Sequence, residues 1–182
     1  MIIRGWYLQK TENETFTIRI DSVLLEELKK IAGNAKLSPN SMVTKVISEY
    51  VDWHGFAREA GMGYFDRKLV EQLFEQAPNE FLNKLAKHFA ENQLKEILLV
   101  IRKENTVAAF LSTLESWLKA SGFSYRSEIN EDFAKLVINF NMGKKWTEFC
   151  ARTYLTLLHQ ITTDRVETQV IDCTLVLTIS KE

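Results

Sequence analysis

The chain has 182 residues, 46% of them hydrophobic and 26% charged, a balance that excludes a largely disordered protein and leaves room for two small domains. Its formal net charge of -1 excludes a whole-protein electrostatic pull on a polyanion. Residues 1–55 carry seven basic against seven acidic side chains, so a nucleic-acid contact there depends on where a few cations stand.

In chain order, residues 1–13 hold Trp6 and Tyr7 ahead of a polar run. They form an arm without a clear period, with a pairing strand as one option. Residues 15–20 alternate polar and apolar without exception, the period of a half-buried strand with Phe16, Ile18 and Ile20 on one face. Asp21 is placed to cap a helix whose apolar stripe is Leu24, Leu25, Leu28, Ile31 and Ala32. Gly33-Asn34 ends it, and residues 37–41 make a turn rich in cap residues. Met42, Val43, Val46, Ile47, Tyr50 and Val51 then mark a second helix. Gly55, Gly61 and Gly63 interrupt the pattern and place a module boundary near 54–65.

Residues 66–93 read as two connector helices split at Pro78. Beyond them the apolar run at 97–101 predicts a buried strand, residues 107–118 a helix ending at Gly122, and 123–129 and 133–140 two strands. A long helix carrying Trp146 to Ile161 follows. A last strand has Ile171, Cys173, Leu175, Leu177 and Ile179 on one face. The expected fold class is α+β, with an order of strand, helix, strand, strand, helix, strand in the C-terminal part, the ferredoxin-like βαββαβ arrangement. The expected division is 1–55, a connector at 56–94, and 95–182.

The stretch from Thr15 to about Trp53 resembles the ribbon-helix-helix family of small bacterial and archaeal repressors. The resemblance is carried by the alternating strand, the capped helix led by Leu24-Leu25-Glu26-Glu27-Leu28, the turn at Leu37-Ser38 and the helix from about Asn40 to Tyr50. It implies a homodimer, or a tetramer, whose two paired strands enter the major groove of double-stranded DNA. The outward residues Thr15, Thr17 and Arg19 would then meet base edges. The N-terminus of the second helix, with Ser38, Asn40, Ser41, Lys36 and Lys45, would meet a phosphate. Two departures are visible: Lys36 stands where many members have glycine, and Pro39 stiffens the turn. The alternative is a ribbon that only dimerises a sensor or interaction protein.

A ribbon-helix-helix module followed by a ferredoxin-like domain resembles nickel-responsive repressors, which need clustered His and Cys ligands. His54, His88, His159 and the two cysteines have no ligand spacing, so neither a metal nor another cofactor is expected. Cys150 and Cys173 read as small buried hydrophobes in a reducing compartment. A small anionic ligand is a further expectation, held by Gly143, Lys144 and Lys145 where a strand gives way to a helix N-terminus. No phosphate loop, nucleophile elbow or His/acid pair supports catalysis, and no enzyme is expected. The longest apolar run is far short of the roughly 20 residues that span a bilayer, and a cytoplasmic location without membrane association is expected.

Overall fold

A computed structural model describes residues 14–181 of the chain. The expected arm at 1–13 lies outside the described residues.

Alternating apolar residues create the sheet. On β2 (Phe133–Asn139) and β4 (Thr174–Ser180) every second side chain is buried. The antiparallel ladder sets Ala134 opposite Ile179, Leu136 opposite Leu177, and Ile138 opposite Leu175. β1 (Ser124–Ile129) adds to β2, and β3 (Arg165–Ile171) adds to β4, giving four antiparallel strands in the order β1-β2-β4-β3. Three rows thus cross the sheet and end on the edge strands: Tyr125 and Val170 flank one, Ser127 and Thr168 the next, Ile129 and Val166 the third. These flanking residues are half-buried, except for the exposed Ser127. The opposite face carries Arg126, Glu128, Lys135 and Glu167, all exposed, as an antiparallel sheet covered on one side allows.

Helices cover the apolar face. α7 (Val107–Ala120) starts on Thr106, whose hydroxyl accepts from the Ala109 amide, and stops before Gly122 at φ +64°. α8 (Gly143–Ile161) crosses between β2 and β3. Their buried residues, among them Phe110, Leu114, Leu118, Leu157 and Leu158, join the sheet residues in one core.

The N-terminal half is helical. α1 (Ser22–Asn34) is capped by the Asp21 carboxylate, which accepts from the amides of Val23 and Leu24. α2 (Pro39–Glu49) runs without a break through a π-helical turn, Tyr50–His54, into the short α3 (Gly55–Ala57). α4 (Arg67–Gln76) and α5 (Asn79–Phe89) are separated at Pro78, as expected. α5 continues through a second π-helical turn, Ala90–Leu94, into α6 (Lys95–Arg102). Trp53 and Ala57 pack with Ile97 and Ile101 in a second apolar cluster.

The structure is α+β, but its C-terminal part departs from the expected βαββαβ order in two places. Residues 97–101 form the end of α6 and not a strand. Ile97, Leu98 and Ile101 are buried while Leu99 is 45% exposed, which is a helical period; a strand of unbroken apolar residues would need cover on both faces. The expected last strand is the second arm of a hairpin. Asp172 adopts φ +49° and Ile171 pairs with Thr174 around a two-residue turn. Ile171 therefore points away from the core, and Cys173 lies in the turn. Arginine chemistry ties α6 to α7: Arg102 donates to the Ser112 carbonyl and, at 2.8 Å, to Ser116 Oγ. Burial lowers its pKa, with the Asp52 carboxylate opposing that shift.

Leu177 is fully buried in the central row, so Leu177→Ala should cost about 2–5 kcal/mol, read as a lower urea midpoint at unchanged slope. The two thiols should differ in reactivity. Cys150 is buried against Tyr154 and burial pushes its pKa far up, whereas Cys173 is half-buried in the hairpin turn. Of the two cysteines in the chain, Ellman's reagent should modify Cys173 in the native protein and reach Cys150 only on unfolding.

Candidate nucleic-acid interface and helical-layer cavity

Within one chain residues 14–20 carry neither helix nor strand. Thr15, Thr17 and Arg19 are exposed, and so are the residues expected to face a core: Phe16 is 81%, Ile18 45% and Ile20 36% exposed. The same holds along the two helices. α1 buries Ala32 and α2 buries Met42, while Val23, Leu24, Ile31, Val46, Ile47, Tyr50 and Val51 remain exposed. α1 and α2 pack together, yet the described residues of one copy leave most of these apolar stripes in water.

The turn between these helices is left-handed at one non-glycine residue. Lys36 adopts φ +56°, the left-handed region that glycine occupies without a steric penalty. At the start of α2, Ser38 Oγ accepts from the Ser41 amide at 3.0 Å and lies 2.8 Å from Ser41 Oγ. Pro39 at the first helical position has no amide hydrogen. Two of the amides that could have met a phosphate are thereby absent or engaged. Lys36, Ser38, Asn40, Ser41 and Lys45 are all exposed within one stretch of ten residues. Lys45 has Glu49 at 3.8 Å, and on α1 Lys29 and Lys30 pair with Glu26 and Glu27 at 2.7 and 2.6 Å.

Gly143, Lys144 and Lys145 do stand together at the start of α8, with Gly143 at φ +77°. Their positive groups have partners in the chain. Lys145 Nζ donates to the carbonyls of Glu75 and Ala77 at 2.7 and 2.9 Å, so it closes the C-terminal end of α4, and Lys144 lies 3.9 Å from Glu148. A Cβ on Gly143 would meet Glu75 Oε1 at 2.8 Å and Glu71 Oε1 at 3.5 Å. The negative charge favoured at this helix N-terminus is supplied by α4. His54 donates to or accepts from Tyr64 Oη at 2.7 Å, and His88 and His159 stand on other helices. Among the described residues no group of three or more His, Cys, Asp or Glu side chains could hold a metal ion, and no helix is long and apolar enough to cross a membrane.

The helical layer also contains a feature that no local sequence pattern marks. A partly open cavity of about 340 Å³ is lined by residues of α4, α5, α6, α7 and α8 together with Trp53, Met62 and Leu94. Protein interiors hold few voids larger than a water molecule.

Comparison of the chain with protein-family models, with curated proteins and with solved structures finds no match.

The left-handed turn gives a direct test of the local geometry. Lys36→Gly should raise stability by about 0.5–1 kcal/mol, because relief of the left-handed penalty outweighs the added chain entropy of glycine. Thermal unfolding of the two proteins at equal concentration checks the sign.

Proposed function

We propose that the chain is a sequence-specific DNA-binding transcriptional regulator that dimerises through a ribbon-helix-helix module at residues 14–53. The observation that carries the reading is segment 14–20, which has no strand partner among the described residues and leaves Phe16, Ile18 and Ile20 in water. Two capped helices with equally uncovered apolar faces follow it. A strand needs a neighbour to satisfy its backbone groups. A second copy supplies one by pairing the two segments antiparallel, and that places Phe16, Ile18 and Ile20 over the exposed sides of α1 and α2. Burial of these side chains on both copies contributes on the order of 10 kcal/mol, of the same size as the about 4–15 kcal/mol lost on association.

In such a ribbon Thr15, Thr17 and Arg19 point outward into the major groove. Arginine reads guanine through its two parallel donors, and threonine offers a hydroxyl and a methyl group. The exposed start of α2, with Ser38, Asn40 and Ser41 between Lys36 and Lys45, positions the module on the phosphate backbone. The remainder of the chain serves oligomerisation or sensing.

A second reading, in which the ribbon only dimerises, is favoured by the pairing of Lys29, Lys30 and Lys45 with neighbouring carboxylates and by the start of α2, where Pro39 has no amide hydrogen and the Ser41 amide is engaged by Ser38. Both readings require a dimer, and only the first requires DNA. Selection of the full-length protein against a random duplex pool, repeated across a salt series, is expected to enrich one sequence whose affinity falls as salt rises. Arg19→Ala should weaken binding to that sequence by about 1–3 kcal/mol and relax the preference at one base pair. An unselected pool with a dimer intact by sedimentation would favour the second reading, and a monomer at micromolar concentration would overturn both.

A further inference from the structure

The cavity in the helical layer has a wall without a single charged side chain. Trp53, Trp117 and Trp146, three of the four tryptophans in the chain, contribute to it. So do Phe74 and Phe89. Polarity is confined to a few points. Thr113, Thr153 and Trp146 each carry a buried polar atom, Oγ1, Oγ1 and Nε1, with no hydrogen-bond partner among the described residues. Buried donors of this kind ordinarily find an acceptor. The volume is about twice the roughly 150 Å³ of an apolar core void that accommodates benzene, and it falls at the small end of the about 300–1,000 Å³ typical of ligand pockets. Each π-helical turn contributes one wall residue, Trp53 from the first and Leu94 from the second; such turns recur at functional sites.

We propose that this cavity is a binding site for an uncharged aromatic molecule of two to three rings. The aromatic walls supply apolar contact over most of the ligand surface. A charged ligand is excluded because nothing in the wall offsets the loss of its hydration. The site goes beyond the DNA-binding reading and does not rest on it: the walls belong to the helical layer, and no residue placed at the DNA is among them.

The test uses the full-length protein and N-phenyl-1-naphthylamine, a neutral probe whose emission rises in apolar surroundings. One-to-one saturable binding is expected, with a higher melting temperature in its presence and no competition from the anionic 8-anilino-1-naphthalenesulfonate. Two variants fill the cavity from different sides: Thr113→Phe from within α7, and Met62→Trp from a half-buried position. Each should weaken the probe by about tenfold or more, since an over-packed site must displace its neighbours to admit it, while Thr113→Val should retain it. Circular dichroism identifies any variant that fails to fold; Met62→Trp then decides in place of Thr113→Phe, and the titration of the parent protein stands by itself. Absence of saturable binding by the parent would overturn the proposal. So would parental affinity in a folded cavity-filled variant, because that would move the probe to the exposed apolar faces of residues 16–51. Gel shifts on the same variants keep the DNA reading separate, since loss of probe with DNA binding intact bears on the cavity alone.

Discussion

Leu136 and Leu177 face each other across the central β2–β4 ladder, both fully buried, and the rest of the body is arranged around that row. Because each strand presents every second residue, fixing this one pair fixes Ala134 opposite Ile179 and Ile138 opposite Leu175. A slip of one residue in β4 would turn Leu175, Leu177 and Ile179 away from the core. α7 and α8 are held on the same strip, so their outward sides become the inner walls of the helical layer, where α4, α5 and α6 then pack.

The features legible in the amino-acid sequence are those with short-range causes. Asp21, Ser38 and Thr106 cap helices by accepting from amides two or three residues ahead, and Gly122 ends α7 because the chain turns left-handed there. The alternation of β2 needs no distant partner to be seen. The run at 97–101 is different: five consecutive apolar residues fit a buried strand or a buried helix equally, and the choice is made by α6 continuing an existing helix from Asn79. The hairpin is hidden by parity. Ile171 and Cys173 fall in step with Leu175, Leu177 and Ile179, so the turn at Asp172 looks like one more alternation. The signal that marks β3 is Val166, Thr168 and Val170, which alternate on even numbers.

The sites divide in the same way. Thr15, Thr17 and Arg19 share their exposure with Phe16, Ile18 and Ile20, so within one chain the alternation does not sort the two sets; the partners of Lys145 are the carbonyls of Glu75 and Ala77, about seventy positions away, and no local pattern reaches them. The cavity is the extreme case. Its wall draws on residues from Trp53 to Tyr154, each of which reads as ordinary core by itself. Lys36 stands between these cases: it lies in a turn that the sequence marks, but its residue type does not announce the left-handed backbone it occupies.

The helical backbone from Pro39 to Ala57 is unbroken, and it carries apolar residues toward two different surroundings. Val46, Ile47 and Tyr50 face away from the body, while Trp53 and Ala57 are buried against α6. A helix resists bending and twisting far more than a loop does, so helical geometry fixes the distance and the angle between the uncovered stripe and the buried tryptophan. Whatever covers Val46 and Ile47 is therefore held at a set offset from the wall at Trp53.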